Sequence, residues 1–225
     1  MNKELIEYLS GFVTESRMNT FYKVLESRTR HITVVLEDLY QMHNTSAVLR
    51  TCDCFGIQDV HVIENKNTFE ANTEISLGAS KWLTLHKHDR NKKNTRETCN
   101  ELRKNGYKIV ATIPGKGAKN LEEYNISEKT ALLFGTELTG LSDEMLSEAD
   151  DYLKIPMFGF TGSFNVSVSA GIILHFLTYR LHESNLHWKL TENEKELILL
   201  EWLKITIKNS GMIMENFFKE KNSNK

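Results

Sequence analysis

Three short segments of the sequence combine small, polar and charged residues in ways that could support chemistry. The first, HNTSAVLRTCDCFG, begins near Asn44 and carries Arg50 inside a run that is otherwise small or apolar. A guanidinium is costly to bury without a partner, so Arg50 must reach solvent, an acid such as Asp53, or an anion in a cleft. Asn44 can cap the helix that follows. This segment alone leaves a structural and a functional interpretation open.

The second segment is a turn between a buried strand and an acid-rich helix, LLFGTELTGLS. Gly135 and Gly140 flank the turn, and Ser142 opens the helix. In open α/β sheets, ligands bind at such turns, outside the carboxyl ends of the strands. The spacing Gly-x-x-x-x-Gly, with no Lys-Ser/Thr after it, excludes both a dinucleotide fingerprint and a phosphate loop.

The third segment, IPMFGFTGSFNVSVSAG, leads from a strand into a helix rich in small residues. Pro156 ends the strand, and Ser163 and Asn165 stand where the helix begins. Small residues along the first turns would let another group pack closely against the helix backbone. A Ser-x-Asn pattern is by itself only a good helix cap.

Apolar runs of strand length alternate with helical stretches around these segments. This alternation predicts an α/β fold with a mostly parallel sheet and helices on both faces. The predicted strands are 32–36, 59–63, 82–85, 107–113, 131–134 and 152–156, and the predicted helices lie near 45–55, 95–105, 142–149 and 166–183.

The terminal segments have helical patterns of their own. An amphipathic pattern covers residues 3–27, and Thr191 with Glu194 forms a capping-box pattern ahead of an apolar helix from Leu197 to Ile207. We expect the charged tail KEKNSNK to be disordered. The predicted organisation is a helical extension over 1–30, a catalytic domain over 31–184, and a C-terminal helix and tail over 185–225.

Length and composition limit the class of protein. A chain of 225 residues that is 40% hydrophobic suits one α/β domain with terminal additions. It has no apolar run of roughly 18 residues, and acids in its first residues do not suit a signal peptide, so we expect a cytoplasmic protein without a membrane span. Its three cysteines are too few for a structural zinc site, and no metal is expected.

The net charge of −2 does not predict a polyelectrolyte that binds nucleic acid along its whole surface. Local patches matter more, because phosphates respond to nearby charge. The stretch KHDRNKKNTR has five basic residues and one acid. A second group of basic residues comprises Lys23, Arg28 and Arg30. These patches are either solvated surface or contacts to RNA phosphates.

In this order and spacing, the three segments resemble the three motifs of the SPOUT-class RNA 2′-O-methyltransferases of the TrmH type. The similarity runs from about Val24 to Arg180. It implies a deep trefoil knot in the C-terminal part of the sheet, which is one of the few exceptions to unknotted chains. It also implies that S-adenosylmethionine is the cofactor, that tRNA is the substrate, and that the protein is a homodimer whose active site takes residues from both subunits.

The resemblance also implies roles for individual residues. The residues expected at the cofactor site are Thr112, Gly135, Ile155, Met157 and Phe164. Those expected at the catalytic site are Arg50, Asn44, Glu137, Ser163 and Asn165. Those expected to bind RNA are Arg28, Arg30, Lys87, Arg90, Lys92 and Lys93.

A ribose 2′-hydroxyl is a very weak acid, so its attack on a methyl group needs a base or stabilisation of the alkoxide. The resemblance implies that the arginine matching Arg50 activates the hydroxyl in this way. Either a neutral Arg50 acts as the base, or a charged Arg50 stabilises the alkoxide while a substrate phosphate takes the proton. An arginine pKa near 12.5 to 13.8 favours the second reading.

The expected reaction is 2′-O-methylation of a guanosine, at position 18 of the tRNA D-loop. The alternatives are the same reaction on ribosomal RNA or at another tRNA position, and an RNA-binding domain without catalysis. Only a short helical extension precedes the catalytic domain, which favours tRNA. The sequence departs from the family pattern at Gly162, Tyr179 and Leu181, where relatives often have glutamine and arginines.

Overall fold

The computed structural model describes residues 2–39, 41–67, 78–89, 94–115 and 117–223. The chain forms two compact units, one of Thr29–Trp188 and one that combines Met1–Arg28 with Lys189–Lys225. The division into three segments, 1–30, 31–184 and 185–225, stays a prediction.

The unit Thr29–Trp188 is built on a seven-stranded parallel sheet. Its strands are β1 (Ile32–Glu37), β2 (Asp59–Ile63), β3 (Thr84–His88), β4 (Lys108–Thr112), β5 (Lys119–Asn120), β6 (Thr130–Phe134) and β7 (Asp151–Lys154). They are ordered β3-β2-β1-β6-β4-β7-β5. The central strands β1 and β6 are buried along their whole length, as expected of parallel strands with both faces covered. The predicted parallel α/β fold is confirmed, and the knot stays a prediction.

The helices, in chain order, are α1 (Asn2–Ser10), α2 (Glu15–Leu25), α3 (Met42–Cys54), α4 (Asn94–Lys104), α5 (Asp143–Ser147), α6 (Val166–His182), α7 (Glu192–Thr206) and α8 (Ser210–Ser223). On one face of the sheet, Val48 of α3 and Ile173 of α6 share an apolar cluster with Val34 of β1. On the other face, Leu102 of α4 and Met145 of α5 pack in a second cluster. Helices therefore cover both faces, as predicted.

Two predicted elements differ in the structure. Residues 3–27 form two helices, because the chain turns after Ser10 and Thr14 then caps α2 by accepting a hydrogen bond from the Arg17 N–H. The strand predicted at 82–85 begins later, at Thr84, after a 3-10 turn at Ala79–Lys81.

The unit that combines Met1–Arg28 with Lys189–Lys225 contains a helix that the sequence interpretation missed. The predicted disorder of the tail is wrong as far as Ser223, because α8 extends to that residue. Lys221 forms an ion pair with Glu4, and the Phe217 ring lies 5.0 Å from the Tyr8 ring, so α8 is held against α1. The predicted capping box is confirmed: Thr191 Oγ1 accepts from the Glu194 N–H, and Glu194 Oε2 accepts from the Thr191 N–H. No helix in the described residues is long and apolar enough to cross a membrane.

Candidate active site

A cavity of about 370 Å³ lies at the carboxyl ends of β4, β6 and β7. Its walls come from the loop after β6, the residues that follow β4 and β7, and the first two turns of α6. These are the places where an open α/β sheet binds a ligand. All five residues that the sequence predicts at the cofactor site line this cavity: Thr112, Gly135, Ile155, Met157 and Phe164.

The loop after β6 is folded tightly against itself. The backbone groups of Thr136 and Gly140 exchange two hydrogen bonds of 3.0 Å, and Gly140 has a positive φ of 72°. A Cβ at Gly135 would lie 2.2 Å from the carbonyl carbon of Gly140 and 2.3 Å from the Leu141 nitrogen. Only glycine fits at position 135, because the neighbour is backbone and cannot give way.

A chain of hydrogen bonds joins three of the predicted catalytic residues. Asn44 Nδ2 donates to Glu137 Oε1, and Asn165 Nδ2 donates to Asn44 Oδ1 at 3.0 Å. The second hydrogen of Asn44 Nδ2 is directed to Gln41 Oε1 at 2.9 Å. Residues that lie far apart in the sequence are therefore brought to one place, with Glu137 also lining the cavity.

The prediction that Asn44 caps α3 is wrong. The helix begins at Met42 after Gln41, so Asn44 already lies inside the first turn, and its 7% exposed side chain is free to reach Glu137 and Asn165. Asn165 does cap its helix: its Oδ1 accepts from the Ser167 N–H at 2.9 Å and from the Ser167 hydroxyl at 2.6 Å. Ser163 lines the cavity two residues earlier.

Arg50 is not part of this group within one chain. It is exposed and lies six residues beyond Asn44 on α3, which places it roughly 240° around the helix from Asn44. It does not line the cavity, and it forms no hydrogen bond or ion pair with any of the described residues.

The residues predicted to bind RNA have different surroundings. Lys87 is exposed on β3, within 3.8 Å of the Glu64 carboxylate. Arg30 donates from Nε to Asp59 Oδ2 at 2.6 Å. Arg28 is 1% exposed, and its guanidinium lies 5.4 Å from the Trp202 ring, where an RNA phosphate could not reach it without rearrangement. Arg90, Lys92 and Lys93 lie outside the described residues.

A polar network at the edge of the sheet was missed in the sequence. His61 of β2 stacks between His86 and His88 of β3, with ring centroids 4.4 Å and 5.3 Å away, and His61 Nδ1 lies 3.0 Å from His88 Nε2. Burial and the neighbouring imidazoles lower the pKa of His61 to about 3. Burial opposes ionisation of Asp59, but hydrogen bonds from His86 and Arg30 outweigh it and hold the pKa of Asp59 below its ordinary value. The sequence signal for this network was the spacing of His86 and His88, because residues two apart in a strand lie on the same face.

Sequence reasoning also missed several residues that line the cavity. They include Pro114, Leu138, Leu146, Lys154 and Ser169. Pro114 could have been found from its place directly after the predicted strand 107–113, and Lys154 from its place near the carboxyl end of the predicted strand 152–156. Within the part of the chain that the structure describes, no cluster of His, Cys, Asp and Glu could hold a metal ion.

The model of the SpoU rRNA methylase family matches residues 31–175. A tRNA (guanosine(18)-2′-O)-methyltransferase of Borreliella burgdorferi is 44% identical over 208 residues, covering 92% of this chain and 94% of that protein. The enzyme of the same name from Thermus thermophilus is 37% identical, covering 72% of this chain and 81% of its own length. The crystal structure of the A. aeolicus TrmH/SpoU tRNA modifying enzyme superposes with a TM-score of 0.76 at 33% identity, covering 86% of this chain and 98% of that one.

Proposed function

The chain belongs to the SpoU rRNA methylase family, and we propose that it transfers a methyl group from S-adenosylmethionine to the ribose 2′-hydroxyl of guanosine 18 in the D-loop of tRNA. The relatives named for that reaction match along most of the chain, which favours tRNA over ribosomal RNA. Within the molecule, the observation that carries the proposal is the hydrogen-bonded chain of Glu137, Asn44 and Asn165 beside the cavity.

The cavity suits S-adenosylmethionine in size and lining. Its volume lies within the range of about 300–1,000 Å³ that is typical of small-molecule sites. Its wall is mostly apolar, and the tight loop at Gly135 brings main-chain groups to its surface, which suits a flat base with polar edges. We propose that Thr112, Gly135, Ile155, Met157 and Phe164 hold the cofactor. When bound, S-adenosylmethionine supplies the electrophilic methyl carbon of a sulfonium.

The polar group beside the cavity would position the ribose. Hydrogen bonds to Glu137, Gln41 and Asn165 fix the orientation of the Asn44 amide, so it can present a defined edge to a hydroxyl. We propose that Ser163, which lines the cavity, completes this pocket. Holding the hydroxyl in an attacking geometry contributes to the rate without a change in protonation.

We propose that Arg50 stabilises the alkoxide as it forms, while a phosphate of the substrate accepts the proton. A guanidinium keeps its charge at neutral pH and offers five N–H donors, so it stabilises an anion better than it serves as a base. Because Arg50 lies away from the cavity of its own chain, we propose that it acts at the site of a second subunit.

The homodimer would place this second subunit against the apolar side chains around the cavity. Leu138, Phe158 and Phe160 are almost completely exposed, and they lie on the two loops that line the cavity. Exposed apolar patches of this kind mark interaction sites. A second copy of the chain that covers them would also deliver an Arg50, which favours this occupant.

Phosphate contacts from the basic residues would hold the tRNA. We propose Arg30, Lys87, Arg90, Lys92 and Lys93 for this role, and Arg28 only after a rearrangement that exposes it. Because the proposed substrate is tRNA, we place the enzyme in the cytoplasm.

Methylation of unmodified tRNA transcripts with labelled S-adenosylmethionine, followed by nucleoside mapping, tests the proposal. We expect one methyl group per tRNA, on the 2′-oxygen of guanosine 18. A transcript with a 2′-deoxyguanosine at that position is the matched control, and it should accept no label. Label at another nucleoside would assign a different substrate position, and label only in ribosomal RNA would contradict the choice of tRNA.

A further inference from the structure

Glu37 places a buried carboxylate at the carboxyl end of the central strand, and the chemistry outlined above does not use it. It is the last residue of β1 and is 2% exposed. Oε1 accepts hydrogen bonds from the hydroxyls of Ser142 at 2.7 Å and Thr95 at 3.0 Å, and Oε2 accepts one from the Ser142 backbone N–H at 2.8 Å. A buried carboxylate is costly unless it is hydrogen-bonded, so these three donors hold it in a defined position.

Ser142 marks the point where the cavity loop ends and α5 begins. Its hydroxyl caps α5 by accepting from the Met145 N–H at 3.1 Å, while it also donates to Glu37. The residues just before it, 135–141, form one wall of the cavity. Two of the three hydrogen bonds of Glu37 therefore fix one end of this wall.

Asn44, in the first turn of α3, holds the loop at a second point. Residues 38–43 separate Glu37 from Asn44, and Asn44 donates to Glu137 in the middle of the loop. The loop also packs so tightly on Gly135 that no Cβ fits there. A shift at Ser142 would pass directly to Gly140 and Leu141, which face the cavity.

We propose that Glu37 is a positioning residue for cofactor binding, which holds the loop 135–141 in the shape that lines the cavity. It acts through Ser142 and touches neither substrate nor cofactor. The inference rests on the proposed use of the cavity for S-adenosylmethionine. Loosening the loop at Ser142 should weaken cofactor binding more than it slows the chemical step at saturation, because the hydrogen bond from Asn44 to Glu137 still holds the middle of the loop.

The test compares wild type with Glu37→Ala and Glu37→Gln, using calorimetry with S-adenosylhomocysteine and steady-state methylation of tRNA. For Glu37→Ala we expect the Kd and the KM for cofactor to rise about tenfold, equivalent to about 1.4 kcal/mol, with kcat within about threefold of wild type. Glu37→Gln should lose less affinity for the cofactor, because the glutamine side-chain oxygen can still accept from the Ser142 N–H. Thr95→Val is the matched control: it removes the hydrogen bond outside the loop, and the Kd should change less than about twofold.

Three results would overturn the inference: an unchanged Kd in a folded Glu37→Ala variant, a lower kcat with an unchanged KM, or an equal effect of Thr95→Val. If Glu37→Ala does not fold, Glu37→Gln and Ser142→Ala serve the same purpose, and a Kd equal to wild type in both would exclude the role. A wild-type protein that binds no S-adenosylhomocysteine would overturn the proposed function itself. Binding by wild type with equal binding by the variants overturns only the role of Glu37.

Discussion

At the scale of single residues, the orientation of one amide decides what the site can present to a ribose. Asn44 Nδ2 has two hydrogens, directed to Gln41 and Glu137, and Asn44 Oδ1 accepts from Asn165. An amide with two acceptors on one side and a donor on the other has only one favourable orientation. The carboxylate of Glu137 is therefore a structural partner of Asn44 as well as part of the cavity wall.

Gly135→Ala should strongly weaken cofactor binding without unfolding the sheet. The new Cβ would lie 2.2 Å from the Gly140 carbonyl carbon, so the loop must move out of the shape that lines the cavity. Overpacking of this kind costs about 1–3 kcal/mol, and we expect the Kd for S-adenosylhomocysteine to rise at least about 10- to 100-fold in calorimetry. Gly115→Ala is the matched control, since its nearest neighbour would be an Ile113 side-chain carbon at 3.8 Å. Equal affinities in the two variants would contradict the steric argument.

Arg50→Ala should remove most of the methyl transfer and leave the fold and cofactor binding unchanged. Arg50 is exposed and does not line the cavity of its own chain, so its loss creates no void. Loss of one group that stabilises an oxyanion typically lowers kcat by about 10² to 10³. Single-turnover methylation of tRNA, with calorimetry as the check on cofactor binding, measures the effect. Activity within tenfold of wild type would remove Arg50 from the mechanism.

At the scale of elements, the apolar runs were enough to predict most strands, because parallel strands are buried on both faces and are apolar along their length. The capping pattern of Thr191 and Glu194 likewise identified a real helix start. The first turn of α3 was misjudged, because its cap, Gln41, makes no side-chain capping hydrogen bond and therefore leaves no signal in the sequence. The helix α8 was missed because its charged tail resembles a disordered segment, whereas contacts with α1 hold it.

The site was predictable only in part, and for a physical reason. Local pattern marked Gly135 and Asn165 as turn and cap residues, and the ordered set of three segments suggested what they do. No local pattern could show that Glu137 meets Asn44, 93 positions away, or that Ser142 meets Glu37, 105 positions away. Such contacts depend on the order of strands in the sheet, which places β6 beside β1.

His61→Gln should make the free energy of unfolding less dependent on pH. In the folded protein the His61 imidazole is neutral, and in that form it contacts His86 and His88 of the edge strand β3. Its pKa is lowered from 6.5 to about 3 in the folded protein, so below pH 6.5 the unfolded chain binds a proton that the folded chain does not. The free energy of unfolding therefore falls as the pH drops from 6.5 towards 3. Removing the group should reduce this slope by up to about 1.4 kcal/mol per pH unit. Urea unfolding at pH 7 and pH 4.5 measures it, and equal slopes in variant and wild type would refute the argument.

At the scale of the whole molecule, one chain contains a cavity and the amides of Asn44 and Asn165 beside it. The proposed catalytic residue Arg50 lies outside that cavity, exposed on α3. The apolar side chains of Leu138, Phe158 and Phe160 stand exposed beside that cavity. The exposed apolar side chains and the distant Arg50 have the same explanation if a second copy of the chain covers those side chains and supplies its own Arg50. In a symmetric dimer, the same contact is then made twice, and each site takes its amides from one subunit and Arg50 from the other.

Mixed dimers of two inactive variants distinguish this arrangement from a site within one chain. In a dimer of one Arg50→Ala subunit and one Glu137→Ala subunit, the cavity with an intact Glu137 faces an intact Arg50, so one of the two sites is complete. Random mixing makes half of the dimers hybrid, and we expect about a quarter of wild-type activity when the variants are refolded or co-expressed together at equal amounts. If both residues served the same chain, each site in every dimer would carry one defect. The mixture would then be no more active than the variants assayed separately, and the shared site would be wrong.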